Sequence, residues 1–172
     1  MAAKQGLVQT WYENGQKAEE VNYVDGERHG LYQQWYENGQ KRYEFNYNNG
    51  NLHGSFKEWY PNGQKVVETT FVDNKHHGLY QRWHKNGLKQ KEVHYIRGYE
   101  QGLYQEWHFN GQKRVEYNCV DGIQHGLYQQ WYDNGTKYIE VHRVYDKVDV
   151  YQEWNEDGTK RTDKYCGQME HW

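Results

Sequence analysis

His29-Gly30-Leu31-Tyr32-Gln33-Gln34-Trp35-Tyr36-Glu37-Asn38-Gly39-Gln40-Lys41-Arg42-Tyr43-Glu44-Phe45-Asn46-Tyr47-Asn48-Asn49-Gly50 reads as two short strands and two tight turns. Asn38-Gly39 and Asn49-Gly50 sit where Asn-Gly signals hairpins, because both residues tolerate positive φ. The residues between them are aromatic, amide or charged and show no 3.6-residue apolar period, which argues for strands of ~8 to 10 residues.

The stretch recurs. Gly6, Gly30, Gly54, Gly78, Gly102 and Gly126 stand 24 residues apart. Five residues after each comes a tryptophan, then Asn-Gly, a lysine and a glutamate (Glu20, Glu44, Glu68, Glu92, Glu116, Glu140). Asp25-Gly26, Asn49-Gly50 and Asp121-Gly122 mark the second turn, with Asp73-Asn74 and Arg97-Gly98 as looser versions. A fixed period of this length is the signature of a repeat architecture. We therefore expect an all-β fold: an elongated antiparallel β-meander or solenoid of tandem 24-residue β-hairpins, about 14 strands. The chain reads as one repeat domain over 1–172, with units at 6–29, 30–53, 54–77, 78–101, 102–125 and 126–148, and a degenerate capping unit at 149–172. In that last unit Trp154 follows Trp131 by 23 residues and Val148-Asp149 replaces His-Gly. The tail from Cys166 to Trp172 is expected over the last strand.

Register decides which side chains share a face. A two-residue turn at Asn38-Gly39 puts Trp35 with Glu44 and Tyr32 with Phe45. A bulged three-residue turn, Glu37-Asn38-Gly39, shifts the pairing by one. It sorts Leu31, Gln33 and Trp35 with Lys41, Tyr43, Phe45 and Tyr47, against Tyr32, Tyr36, Arg42, Glu44 and Asn46. The bulged turn is the expectation, because it separates an apolar from a polar face. The repeated Gly30-type glycine marks a bend or a close backbone approach. Pro61 falls in a turn, where a missing N–H costs least.

Composition narrows the functional classes. Aromatics make up 17 % of 172 residues, with 18 Tyr and 8 Trp, and the formal net charge is -3. Large rings with polar tips supply the apolar surface. A near-neutral chain carries no electrostatic footprint for nucleic acid or anionic lipid. Two cysteines, Cys119 and Cys166, make no disulfide framework. No signal-peptide stretch or membrane-length apolar run is visible, so the expectation is a soluble, intracellular, cytoplasmic protein.

The unit, with its His29-Gly30, Trp35-Tyr36, Asn38-Gly39, Lys41, Glu44, Tyr47 and Asn49-Gly50, resembles the MORN repeat, and most closely the variant of the YwqK family of presumed antitoxin components. The likeness runs from Gly6 to about Lys160. It implies an extended antiparallel sheet serving as a scaffold, a membrane-associated module or an antitoxin. Similar repeats occur in large DNA viruses. The acidic balance of this chain counts against the lipid-binding branch.

The glutamate ladder gives each carboxylate the same environment, whereas an acid/base pair needs two unlike ones; it reads as cross-strand partners for Tyr or Lys. His29, His53, His77 and His125 share one repeat position, with rungs ~9.6 Å apart, too far to share an ion; they read as strand-start residues bonding to a neighbouring turn. Ser55 is the only serine, and Cys119 stands at a Tyr position, as a packing residue would. No catalytic residue, metal site or cofactor is therefore expected, and the chain reads as a binding protein. Two aromatic rows are the candidate surfaces: Trp11, Trp35, Trp59, Trp83, Trp107, Trp131 and Trp154 on one face, and Tyr32, Tyr36, Tyr104, Tyr128 and Tyr132 on the other. The expected partner is a protein or a second copy of the chain. The alternatives are a partner toxin, or carbohydrate or choline held on the aromatic ladder.

Overall fold

The structure is a computed structural model that describes residues 3–144 and 147–165. Among these residues there are fifteen strands and no helix: β1 (Gly6–Trp11), β2 (Lys17–Val24), β3 (Glu27–Trp35), β4 (Lys41–Asn48), β5 (Asn51–Trp59), β6 (Lys65–Val72), β7 (Lys75–His76), β8 (Gly78–Trp83), β9 (Lys89–Ile96), β10 (Tyr99–Trp107), β11 (Lys113–Val120), β12 (Ile123–Trp131), β13 (Lys137–Val144), β14 (Lys147–Trp154) and β15 (Lys160–Tyr165). All recorded pairings are antiparallel between sequence neighbours; β7 and β8 are one leg broken at His77, and both pair with β6. The meander of 24-residue hairpins is thus as expected. Contacts divide the chain into two compact units, Met1–Gly87 and Leu88–Trp172. The tail Cys166–Trp172, expected over the last strand, lies outside the described residues.

The two turns of each repeat differ, and their glycines show why. At the second turn both central residues have positive φ, as at Asp25 (51°) and Gly26 (86°), which defines the type I′ hairpin. Asp73-Asn74 and Arg97-Gly98 do the same, so the looser sequences make the same turn. At the Asn-Gly turn, the Gly39 N–H donates to Tyr36 O (2.9 Å) and the Tyr36 N–H to Gln40 O (2.8 Å). That is a three-residue loop, Glu37-Asn38-Gly39, with a bulged glycine, as expected. Pro61 occupies the first central position of its turn, where its fixed φ fits.

The faces, however, are not those expected. Trp35 pairs with Lys41, but Gln34 pairs with Tyr43, Gln33 with Glu44 and Tyr32 with Phe45. Arg42 is a second, compensating bulge. It cancels the odd residue of the turn and restores the sorting of a two-residue turn. Tyr32 and Gln34 therefore lie with Tyr43, Phe45 and Tyr47, and Leu31, Gln33 and Trp35 with Lys41, Glu44 and Asn46. The same step recurs at Thr10/Trp11, Glu58/Trp59, Glu106/Trp107, Gln130/Trp131 and Glu153/Trp154. The physical reason is that Tyr belongs with the apolar set. Ring faces tyrosine and phenylalanine across the strands, while the glutamate meets an amide and a lysine instead of an aromatic ring.

The Gly30-type position makes a third irregularity. Val21 pairs with Tyr32 and Tyr23 with Arg28, so Asn22 faces His29, Gly30 and Leu31. Two extra residues keep the faces in phase, because the side-chain period is two. Gly30 has φ 77°, and nothing lies within 4 Å of where a Cβ would sit. The glycine serves conformation, a bend, rather than close approach. In the degenerate unit, His142 pairs with Val150 and Arg143 with Val148. One extra residue replaces two, and this is where the 23-residue spacing loses its residue.

The buried face is the tyrosine face. In the first unit Tyr32 stacks on Phe45 (4.5 Å), Phe45 on Phe56 (5.2 Å), Phe56 meets Phe71 edge-on (5.6 Å) and Phe71 packs on His76 (4.3 Å). Val21, Tyr32, Val66, Val67 and Thr69 are buried there. In the second unit Tyr104 stacks on Tyr117 (4.3 Å) and Tyr117 on Tyr128 (5.7 Å), with Val93, Val115, Cys119 and Val141 buried beside them.

Candidate functional site

The opposite face is a set of parallel rows. In the first, Leu7, Leu31 and Leu79 stand at one repeat position and are 60 %, 45 % and 47 % exposed. Leu103 and Leu127 continue the position in the second unit, also exposed. Of the tryptophans expected to line a face, Trp11 is exposed; Trp35, Trp59, Trp83, Trp107, Trp131 and Trp154 are half-buried. Of the tyrosines expected to line the other, Tyr32 and Tyr104 are buried and Tyr128 is half-buried in the aromatic stack. Burial pushes the Tyr32 hydroxyl up to about 12 and raises that of Tyr104 further. Tyr36 and Tyr132 instead tie repeats together through their hydroxyls.

Each glutamate of the ladder is engaged. Glu20 accepts from Lys17 Nζ (2.5 Å) and Gln9 Nε2 (2.6 Å). Glu44 accepts from Lys41 and from Gln33 Nε2 (3.0 Å). In the second unit Glu116 accepts from Lys113 and Gln105, and Glu140 from Lys137 and Gln129. The cross-strand partner of these four is thus glutamine rather than the expected tyrosine or lysine, and the lysine comes from the glutamate's own strand, three residues back. The Lys17 bond and then the Gln9 amide hold the carboxyl of Glu20 below the ordinary range; for Glu140 the order is the Lys137 bond, burial opposing it, and then Gln129. For Glu44 the order is the Lys41 bond, burial opposing it, and then Gln33. At Glu116 burial pushes upward, but Lys113 and Gln105 outweigh it. These four groups are carboxylates at neutral pH, each between a lysine and a glutamine.

The same lysines cap the tryptophans of the following repeat. Lys17 lies over Trp35, Lys41 over Trp59 and Lys65 over Trp83; in the second unit Lys89 lies over Trp107, Lys113 over Trp131 and Lys137 over Trp154. The six distances span 5.1 to 5.9 Å, within cation–π range. The ring faces that a choline-like cation would use thus carry the chain's own ammonium groups. This row escaped the sequence reading, although its signal is there: a lysine six residues after each tryptophan from Trp11 to Trp154, and 18 before the next (17 before Trp154).

Two further ties join successive hairpins. Tyr12 Oη donates to Trp35 O (2.6 Å), Tyr60 Oη to Trp83 O (3.1 Å), and His108 Nε2 bonds to Trp131 O (2.9 Å). Four turn asparagines work at both ends, whereas Asn62 donates to Gln64 of its own turn. Asn38 Oδ1 accepts from the Gln40 N–H (3.1 Å), closing its own turn, while its Nδ2 donates to Pro61 O (2.9 Å) in the next. Asn14, Asn110 and Asn134 do likewise. Of the His row, His53 reaches a neighbouring turn, with Nδ1 3.4 Å from Asp73 Oδ1, and Gln101 at the same position donates to Asp121 (2.7 Å), whereas the buried Nδ1 of His29 meets no such partner.

The odd residues fall elsewhere. Glu100, on the buried face of the second unit, accepts from Lys91 (3.2 Å) and Tyr95 (3.0 Å) and lies 3.8 Å from Cys119 Sγ. Burial, and then the Glu100 charge, push the Cys119 thiol up to about 11, which suits a packed thiol and not a nucleophile. At the type I′ tips of this unit Ile96, Tyr99, Val120 and Ile123 are exposed, and Val120 and Ile123 line a cavity of about 300 Å³ with Asp121 and His125. Among the described residues no three His, Cys, Asp or Glu are grouped to hold a metal, and no helix is long and apolar enough to cross a membrane.

Within each unit, successive hairpins joined by recurring tyrosine, asparagine and lysine contacts define a tandem β-hairpin repeat protein. The family model of the MORN repeat variant matches residues 4–25, 28–49, 52–73 and 124–144, about half of the chain. The chain belongs to this MORN repeat family. Between the third and fourth matches the same Gly, Trp, Asn-Gly and Glu positions recur from Gly78 to Glu116. No curated protein matches the chain.

Proposed function

We propose that this protein is a non-enzymatic scaffold that binds a protein partner on its leucine–tryptophan face. The observation that carries the reading is the leucine row. At one repeat position Leu7, Leu31, Leu79, Leu103 and Leu127 are each 43 % to 60 % exposed, while the tyrosine one residue on is buried at Tyr32 and Tyr104. A repeat that buries tyrosine and displays leucine has apolar surface to spare, and regular exposed apolar rows rimmed by charge mark interaction sites. The Lys–Glu pairs beside them supply the polar rim. A carboxylate site repeated from hairpin to hairpin suits repeated contacts with an extended surface better than one chemical step.

The test is affinity capture from the native host with two variants. Leu31→Asp with Leu79→Asp is expected to abolish capture of a partner that the parent retains, with an unchanged β-sheet circular dichroism spectrum. Glu13→Ala with Glu37→Ala, at exposed turn positions, is expected to retain it. An identical set of captured proteins for both variants would overturn the reading.

A further inference from the structure

β1 is hydrogen-bonded to β2 and presents its other edge. In each later repeat the equivalent edge is covered by the preceding hairpin. The tryptophan carbonyl accepts a tyrosine hydroxyl, as Trp35 O does from Tyr12, and the tryptophan ring receives a lysine, as Trp35 does from Lys17. The equivalent carbonyl, that of Trp11, therefore faces outward, and Trp11 and Leu7 are 57 % and 60 % exposed. Because backbone groups alternate in direction along a strand, Leu7, Gln9 and Trp11 all aim their N–H and C=O groups out of this edge. Lys4, just ahead of the strand, is folded over the Tyr23 ring (4.4 Å) and does not guard it, although an edge charge is a common guard.

We propose that β1 pairs antiparallel with β1 of a second copy of the chain, about a two-fold axis at Gln9. The register follows from the strand itself. Gln9 opposite Gln9 matches outward groups with outward groups. It sets Leu7 against Trp11 in both halves of the interface, so the two most exposed apolar residues of the strand cover each other, and it sets Val8 opposite Thr10 on the other face. The interface continues the one that already joins the hairpins within the chain. Head-to-tail stacking on the last hairpin is disfavoured by its chemistry. Asn155 replaces the tyrosine and bonds Thr159 (2.9 Å), and Asp157 replaces the asparagine and has no amide to donate. Two of the three ties are missing there. The pairing uses the backbone edge and covers only Leu7 and Trp11 of the leucine–tryptophan face; Leu31 and Leu79, on which the scaffold test rests, stay exposed, so the two readings fail separately.

A six-residue strand buries less than the ~800 Å² per partner of a stable complex, so dimers form on the order of 10 to 100 μM. Sedimentation equilibrium of the full chain is expected to show a reversible monomer–dimer equilibrium in that range. Gln9→Pro removes an outward N–H while sparing the ladder to β2 and is expected to weaken the dimer at least tenfold; Gln9→Ala keeps it. Should the proline variant lose its sheet spectrum, Leu7→Glu serves in its place. Gln9→Cys is expected to oxidise to a covalent dimer, while Gln33→Cys, at the same repeat position inside the sheet, stays monomeric. A chain that is strictly monomeric at several hundred micromolar, on the order of ten times the expected midpoint, would overturn the proposal. So would open-ended oligomers, a dimer indifferent to both edge variants, or equal crosslinking at the two cysteine positions.

Discussion

The hydroxyl of Tyr36 donates to the main-chain carbonyl of Trp59 at 2.8 Å, joining residues 23 apart in sequence at the point where one hairpin meets the next. The same bond runs from Tyr12 to Trp35 and from Tyr132 to Trp154. In a repeat protein, stability is the sum of weak units and the interfaces between them. An isolated hairpin is marginal in water, so such ties carry much of the cooperativity. Tyr36→Phe keeps the ring and removes the donor. It is expected to lower stability by about 1 kcal/mol, the usual net worth of one hydrogen bond, read as a lower urea midpoint with an unchanged slope. A variant indistinguishable from the parent would show that the tie contributes nothing.

Gly30 tests backbone geometry apart from packing. Its φ of 77° is strained for any residue with a side chain, yet open space surrounds the missing Cβ. Gly30→Ala is expected to cost about 1 to 2 kcal/mol through conformation alone. Gly30→Asn should cost less, because asparagine visits this region more readily. Equal losses for the two in chemical unfolding would point to a packing cause that the surroundings do not supply.

The repeat, its strands and both turns were legible because glycine and asparagine at positive φ leave a mark in the sequence. The sorting of faces was not, and Arg42 shows why. A compensating bulge has no residue signature: arginine, like Ala18 and Val66 at the same step, adopts it without need of glycine. The outcome turned instead on where Tyr32 prefers to lie. Counting tyrosine as polar favoured the wrong register, whereas its ring pairs with Phe45 and buries. The candidate face suffered the same inversion. The tryptophans were found by period, but the lysine above each ring comes from the preceding repeat, and only the true register brings it there.

Lys41 and Glu44 define a pH dependence whose sign can be stated. The lysine bond, and then the Gln33 amide, hold the Glu44 carboxyl below its ordinary value of 4.5 despite burial. A carboxyl with a depressed folded-state pKa binds its proton more readily when unfolded. Its contribution is therefore present above about 4.5 and fades as pH falls toward the folded value. Lys41→Met removes the largest cause. The stability gap between parent and variant is expected to be widest near neutral pH and to narrow below about 4.5, and to shrink in salt, since both partners are partly exposed. Urea midpoints from pH 7 to pH 3, at low and high salt, check this. A gap that grows on acidification would contradict the assignment.

Val93 and Leu103 set the two faces of the second unit against each other. Val93 is fully buried and Leu103 is 47 % exposed. Were leucine and tryptophan the core, Leu103 would be the costlier loss. In the observed register the order is reversed. Val93→Ala removes packed methyl groups and leaves a cavity, for a loss of about 1 to 3 kcal/mol. Leu103→Asp places a charge in solvent beside the polar Gln–Glu–Lys rows and should change stability by no more than about 0.5 kcal/mol. Both are read from the same urea curves. The comparison is sharp because the leucine change is chemically the more drastic of the two: a chain that tolerates aspartate at Leu103 but not alanine at Val93 has its core on the tyrosine side, whereas one that unfolds with aspartate at Leu103 does not.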